Sequence, residues 1–264
     1  MSGILTAVVL VVAIGLIVGL VLAVASILMA VPVDEKAVAI EEQLPGANCG
    51  ACGFSGCSGY AAALSKGEAK LGLCSVGGQA VADAIAPIIG ADSVETIPQT
   101  AVVHCNGSDD NTSKGMRYQG IESCLAATQL YAGMGDCSYG CIGFGDCMKA
   151  CEYNAITVCN GVAAVNSNLC RACGACVKAC PKGLIRIEPK KPHAVVKCSN
   201  CDKGALTRKS CKVGCIGCMK CVKVCENGAV KVENFHAIID PDKCTGCGKC
   251  AEGCPQSIIE MMFV

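Results

Sequence analysis

Of the 264 residues, 26 are cysteine. Thiolates are soft metal ligands, nucleophiles or disulfide halves, and their spacing decides among these roles. A disulfide scaffold usually belongs to a short secreted chain, and this chain is too long for one. From Cys137 to Cys180, eight cysteines recur at an offset of 74 residues: Cys137, Cys141, Cys147, Cys151, Cys170, Cys173, Cys176 and Cys180 fall on Cys211, Cys215, Cys221, Cys225, Cys244, Cys247, Cys250 and Cys254. Gly140-Cys141-Ile142-Gly143 recurs verbatim as Gly214-Cys215-Ile216-Gly217. An ungapped repeat of this kind marks two duplicated modules. Each holds a C-x2-C-x2-C-x3-C-P run, Cys170 to Pro181 and Cys244 to Pro255. Three thiolates spaced this way turn around one polynuclear centre, and the fourth crosses to a second.

These runs resemble the bacterial two-cluster ferredoxin pattern, which implies two [4Fe–4S] clusters per module. Under the crossing rule Cys170, Cys173 and Cys176 pair with Cys151, and Cys244, Cys247 and Cys250 pair with Cys225. Cys254 completes Cys215, Cys218 and Cys221, while Cys180 joins Cys141, Cys147 and a further ligand. Cys218 aligns with Phe144, so module 1 lacks its middle ligand. Cys137 is expected to replace it, as C-x3-C-x5-C. Cys151 and Cys225 are followed by Glu152 and Glu226 rather than proline, which weakens the pattern locally without removing a ligand.

A further group, Cys49, Cys52, Cys57 and Cys74, begins on a glycine-rich loop whose backbone N–H groups can approach the sulfurs and tune a cluster. C-x2-C also admits structural zinc. The spacing C-x2-C-x4-C-x16-C resembles the small four-iron (G4-type) domain shared by corrinoid iron–sulfur proteins and the B subunits of Rnf complexes, which favours [4Fe–4S]. Five clusters are expected in all. Cys105, Cys124, Cys159, Cys198, Cys201 and Cys211 remain without a role, and a sixth cluster stays open because no four of them have a familiar spacing.

The elements that must position these thiols are short. A helical segment around Ala61 to Leu64 separates Cys57 from Cys74, Val81 to Ile89 has helical character, Val94 to Val103 is strand-like, and Asn106 to Lys114 is a polar loop. Alternating segments at Ala155 to Val158 and Ala163 to Val165 suit the hairpins of a ferredoxin fold. At the N-terminus, Ile4 to Leu28 is broken only by Thr6, Gly15, Gly19 and Ser26. At 1.5 Å per residue it reaches about 37 Å, enough to cross a hydrocarbon core of about 30 Å. No basic region precedes it and it exceeds a signal-peptide core, so it is expected to be an uncleaved, single-pass anchor. It holds no Asp, Glu, His, Lys or Arg, the residues that line ion pathways. Clusters and free thiols persist in reducing compartments, which places the bulk after Pro32 on the cytoplasmic side of the cell (inner) membrane. The expected organisation is α+β: anchor 1–33, four-Cys [4Fe–4S] domain 34–80, connecting domain 81–136, ferredoxin module 137–189, linker 190–210 and ferredoxin module 211–264.

No G-x-G-x-x-G follows a strand, there is no Walker loop, and His104, His193 and His236 lie far apart, so no nucleotide site or histidine metal site is expected. Nothing marks a general acid, base or nucleophile. Residues 34–136 carry a net charge of −7 and residues 137–264 a net charge of +7. The basic excess either offsets the clusters, each about −2 with its thiolates, or presents Lys190, Lys191, Lys220 and Lys223 to an acidic electron carrier. Nucleic acid is a poor partner because aromatic–basic modules are absent.

The order of apolar helix, four-Cys domain and ferredoxin modules resembles, over essentially the whole chain, the B subunit of the Rnf complex. That family is a membrane translocase, a ferredoxin:NAD⁺ oxidoreductase coupling electron flow to Na⁺ or H⁺ export. The resemblance implies a subunit that takes electrons from soluble reduced ferredoxin and passes them to membrane-embedded Rnf subunits, with hydride chemistry on other chains. The alternatives are a polyferredoxin subunit of a hydrogenase or CO dehydrogenase complex and, in another class, a zinc-stabilised scaffold.

Overall fold

The structure, a computed structural model, describes residues 2–28, 34–130 and 132–263; Met1 and 29–33 of the expected anchor, with Tyr131 and Val264, lie outside them. The apolar run forms one helix, Ser2–Leu28. Its span Gly3–Ser26 is long and apolar enough to cross a membrane, and none of it is covered by the rest of the chain. A helix apolar on every side and uncovered by protein is matched to hydrocarbon rather than water.

Three helices, Glu35–Gln43, Cys57–Ser65 and Gly78–Ile89, build the four-Cys domain. Asp34 caps the first through the N–H groups of Lys36 and Ala37 and also accepts the Ser65 hydroxyl at 2.6 Å, tying two helices together. Ile40, Leu44, Tyr60, Leu64 and Ile85 form its core. The Tyr60 hydroxyl donates to Lys70 O at 2.9 Å and accepts from Leu73 N at 3.2 Å, which fixes the loop delivering Cys74.

Each ferredoxin-like half is two antiparallel strand pairs. In the first, Ile156–Cys159 pairs with Val162–Val165, and Gln99–Val103 pairs with Ile185–Pro189. In the second, Val230–Glu233 pairs with His236–Ile239, and His193–Val196 pairs with Ile259–Met262. Two strands thus come from segments expected to connect modules. The strand expected over Val94 to Val103 begins only at Gln99, because Pro98 has no N–H for a ladder; its carbonyl accepts from Lys190 N at 2.7 Å. Both hairpin turns put two residues at positive φ, Asn160 and Gly161 in one and Asn234 and Phe235 in the other. That is the backbone of a type I′ turn, whose twist matches the flanking strands.

The repeated Gly-Cys-Ile-Gly has a steric cause. A Cβ on Gly143 would lie 2.8 Å from Gly161 O, and one on Gly217 would lie 2.7 Å from Phe235 O. The cysteine loop must press against the hairpin turn, and only glycine permits it.

The halves are sewn together directly. Thr112 Oγ1 donates to Ser210 O at 2.7 Å, Lys212 N to Asn111 O at 2.8 Å, and Ser199 Oγ to His104 O at 3.0 Å. The histidines, distant in sequence, are all buried. His104 and His193 both lie beside the Glu188 carboxylate, at 3.3 and 3.6 Å, and His236 Nε2 meets Cys198 O at 3.0 Å.

Candidate metal centres

Most of the cysteines fall into groups of four, and three of these groups line recesses. Among the described residues no three Cys, His, Asp or Glu converge closely enough for a single ion. Four thiolates around a polynuclear cluster must stand apart in this way, whereas a tetrahedral zinc site would draw them to one point.

In the second half Cys215, Cys218, Cys221 and Cys254 line a recess of about 360 Å³, the grouping expected from sequence. Cys250 lies within electrostatic reach of Cys244, Cys247 and Cys225, and Ala194 N donates to Cys244 Sγ at 3.5 Å. In the first half Cys176 stands near Cys170, Cys173 and Cys151. There Ala101 N donates to Cys170 Sγ at 3.3 Å and Ala155 N to Cys151 Sγ at 3.4 Å. In the N-terminal domain Cys74 lies near Cys57, Cys52 and Cys49. Asn48 Oδ1 accepts from Cys57 N at 2.8 Å, holding the glycine loop closed at its base.

The remaining group departs from expectation. A recess of about 410 Å³ is lined by Cys141, Cys147, Cys180 and Cys124, not Cys137. Cys124 opens the short helix Cys124–Thr128, set by the Ser123 cap and by Asp146, which accepts from Ser123 Oγ at 2.8 Å and Leu125 N at 3.0 Å. Phe144, standing where the second half has Cys218, packs on Tyr118 with ring centroids 5.6 Å apart. Cys137 lines a different recess, of about 440 Å³, with Cys105, Cys198 and Cys211. Sequence spacing missed Cys124 because no short cysteine run joins it to Cys141, Cys147 and Cys180. Phe144 was the available signal, since it showed that a thiol had to arrive from elsewhere.

Burial and then the neighbouring thiols Cys141, Cys180 and Cys124 push the Cys147 thiol up to about 12. Burial and then Cys215 do most to raise Cys221 to about 11. Bare thiolates are therefore costly here, and a cationic iron core would compensate them, with protons released as it bound. Backbone N–H groups supply the rest, as at Leu184 N to Cys180 Sγ and Gly77 N to Cys74 Sγ, both 3.4 Å.

Of the four lysines expected to present a basic face, Lys220 and Lys223 are exposed. Lys190 instead donates to Ser167 O at 2.6 Å and Lys191 meets Asp242 at 3.5 Å, both half-buried.

Family profiles match three stretches: "Putative Fe-S cluster" over 44–76, "4Fe-4S binding domain" over 163–186 and "4Fe-4S dicluster domain" over 214–258. The chain is 39% identical over 93% of its length to the B subunit of the Na(+)-translocating ferredoxin:NAD(+) oxidoreductase complex of Acetobacterium woodii, covering 74% of that protein. It is 37% identical to the B subunit of the ion-translocating oxidoreductase complex of Methanosarcina acetivorans, covering 94% of each chain. To the B subunit of the proton-translocating ferredoxin:NAD(+) oxidoreductase complex of Clostridium ljungdahlii it is 38% identical, over 88% of this chain and 82% of that one. Iron–sulfur domains behind one apolar helix, and likeness to these proteins along nearly the whole chain, make this protein a member of the Rnf family, as the B subunit of an ion-translocating oxidoreductase complex.

Proposed function

We propose that this chain is a one-electron conductor anchored in the cell membrane. In this reading it takes electrons from reduced soluble ferredoxin on the cytoplasmic side and delivers them to membrane-embedded Rnf subunits, where NAD⁺ is reduced and Na⁺ or H⁺ exported. The observation that carries it is the continuity of four-thiol groups through the soluble part. Lys178 Nζ donates to Cys49 O at 3.2 Å and Ser75 Oγ to Ala172 O at 3.3 Å, so the N-terminal group abuts the Cys170 run. Tyr153 lies within electrostatic reach of both Cys173 and Cys49.

The ligand sets this supports are Cys49, Cys52, Cys57 and Cys74; Cys151, Cys170, Cys173 and Cys176; Cys124, Cys141, Cys147 and Cys180; Cys215, Cys218, Cys221 and Cys254; and Cys225, Cys244, Cys247 and Cys250. A bound [4Fe–4S] cluster supplies a one-electron couple. The chain fixes its position, excludes water with residues such as Leu184 and Ile258, and sets its potential through N–H···S bonds. The four-Cys segment fits a G4-type domain, and helices beside antiparallel strand pairs fit an α+β class. The helix Ser2–Leu28 carries no ionisable side chain, so ion movement falls to partner subunits.

Anaerobic purification with iron, sulfide and zinc analysis tests this. Iron and sulfide in equal amounts, at about 20 or more of each per chain by cluster stoichiometry, with a signal from reduced clusters in electron paramagnetic resonance, is the expected result. A colourless, zinc-loaded chain would overturn it.

A further inference from the structure

The recess of Cys105, Cys137, Cys198 and Cys211 belongs to none of the five groups, yet its volume of about 440 Å³ resembles the 410 and 360 Å³ of the two four-thiol recesses flanking it. All but Cys137, which is half-buried, are buried thiols. The four come two from each half, at equivalent places. Cys105 follows the strand Gln99–Val103 and Cys198 follows the strand His193–Val196, each strand pairing with the last strand of its own half. Cys137 and Cys211 are related by the 74-residue offset.

The hydrogen bonds repeat as well. Cys105 Sγ accepts from Gly107 N and Cys141 N, both at 3.4 Å; Cys198 Sγ accepts from Asn200 N at 3.4 Å and Cys215 N at 3.3 Å. Asn200 Nδ2, on a side chain almost wholly buried, donates to Cys137 Sγ at 3.4 Å. Glycines form the rim: a Cβ on Gly107 would lie 3.4 Å from Cys105 Sγ and 3.9 Å from Cys211 Sγ, and one on Gly140 would lie 3.7 Å from Cys137 Sγ. Five N–H groups aimed at three sulfurs stabilise thiolate, not thiol, and serve cluster ligands. Three of the four sulfurs are buried as well, so the site suits thiolates whose charge a metal core would offset.

We infer that Cys105, Cys137, Cys198 and Cys211 hold a sixth [4Fe–4S] cluster, at the seam between the ferredoxin-like halves, and that it is the junction for electrons crossing between them. The placement is direct: Cys141 and Cys215 each belong to a flanking group, and their own backbone N–H groups bond to the sulfurs of this one. A cluster held there would take up one electron from the centre on one side and pass it to the centre on the other, with no bond made or broken. Without this site the two halves would have no cluster at their seam. The inference rests on the iron–sulfur reading above, and it leaves only Cys159 and Cys201 outside a four-thiol group.

Anaerobic native mass spectrometry of the full chain, paired with metal analysis and a reductive titration followed by electron paramagnetic resonance, tests it. The wild type should carry six clusters, about 24 iron atoms by stoichiometry. The Cys105→Ala/Cys198→Ala variant should carry five, and Cys159→Ala six. Asn200→Asp keeps an acceptor for Asp202 N, which Asn200 Oδ1 now accepts at 2.7 Å, but replaces the donor to Cys137 with a carboxylate. It should keep six clusters and move one reduction step to more negative potential. This variant decides the matter if the double alanine variant does not fold. A wild type with five clusters, or with five clusters and one zinc ion lost in the double variant, overturns the sixth cluster and leaves the electron-carrier reading intact. An iron-free wild type overturns that reading itself.

Discussion

At the scale of single residues, the chemistry lies in which sulfur faces which recess and how many N–H groups reach it. Cys124 and Phe144 make the point together. Module 2 places Cys218 in its leading run, whereas module 1 has Phe144 there, packed on Tyr118, and brings Cys124 into the same recess from a separate helix. Cys124→Ala should therefore remove one cluster, read by native mass spectrometry. Adding Phe144→Cys to that variant should restore it, because the repeat then supplies the thiol that module 2 uses. Retention of every cluster in Cys124→Ala would instead return Cys137 to this group. The twenty ligands expected from sequence and the twenty proposed above differ by this one exchange, so local spacing carries most of the proposed grouping. It failed where a ligand arrives through tertiary packing. The same limit hid the fourfold set of Cys105, Cys137, Cys198 and Cys211, drawn from four separated segments that no spacing rule joins.

At the scale of elements, the first hairpin was legible in the alternating segments Ala155 to Val158 and Ala163 to Val165. The strands Gln99–Val103 and His193–Val196 were harder, since each pairs with a strand far along the chain and looks like connecting sequence when taken alone. The second hairpin pairs a suitable Asn234 with Phe235 at φ +60°. A non-glycine residue held in the left-handed region costs roughly 1–2 kcal/mol, and Phe235 is 48% exposed, so its ring recovers only part of that by burial. Phe235→Gly reproduces the turn of the first half. It should stabilise the second half by on the order of 1 kcal/mol, measured as slower loss of cluster absorbance in denaturant under anaerobic conditions. Faster bleaching would mean that the ring's contacts outweigh the backbone strain.

At the scale of the whole molecule, four-thiol groups run from the N-terminal domain through the second half, and of the twenty thiols proposed above as ligands the exposed ones belong to the second half. Cys218 and Cys247 are exposed there, with Lys220, Lys223, Lys243 and Lys249 exposed around them. Lys249 is held by Glu226 at 2.5 Å and Lys243 lies 3.8 Å from Asp240, which leaves Lys220 and Lys223 as the better-placed free charges. An electron carrier must bring its own cluster close to an exposed one, and acidic carriers are drawn to positive faces at long range. The electron-carrier reading proposed above therefore predicts entry at the second half, with the N-terminal domain, next in sequence to the apolar helix, toward the membrane. Lys220→Glu/Lys223→Glu should slow electron uptake from reduced ferredoxin by about tenfold or more at low ionic strength. The deficit should shrink as salt is added, since charges farther apart than the Debye length, about 10 Å at 0.1 M, no longer steer encounter. Stopped-flow rates of the full complex across ionic strength read both effects, and cluster content measured alongside guards against a folding defect. A wild-type rate indifferent to salt, matched by the double variant, would place the entry point elsewhere and leave the basic excess of residues 137–264 as counter-charge to the clusters.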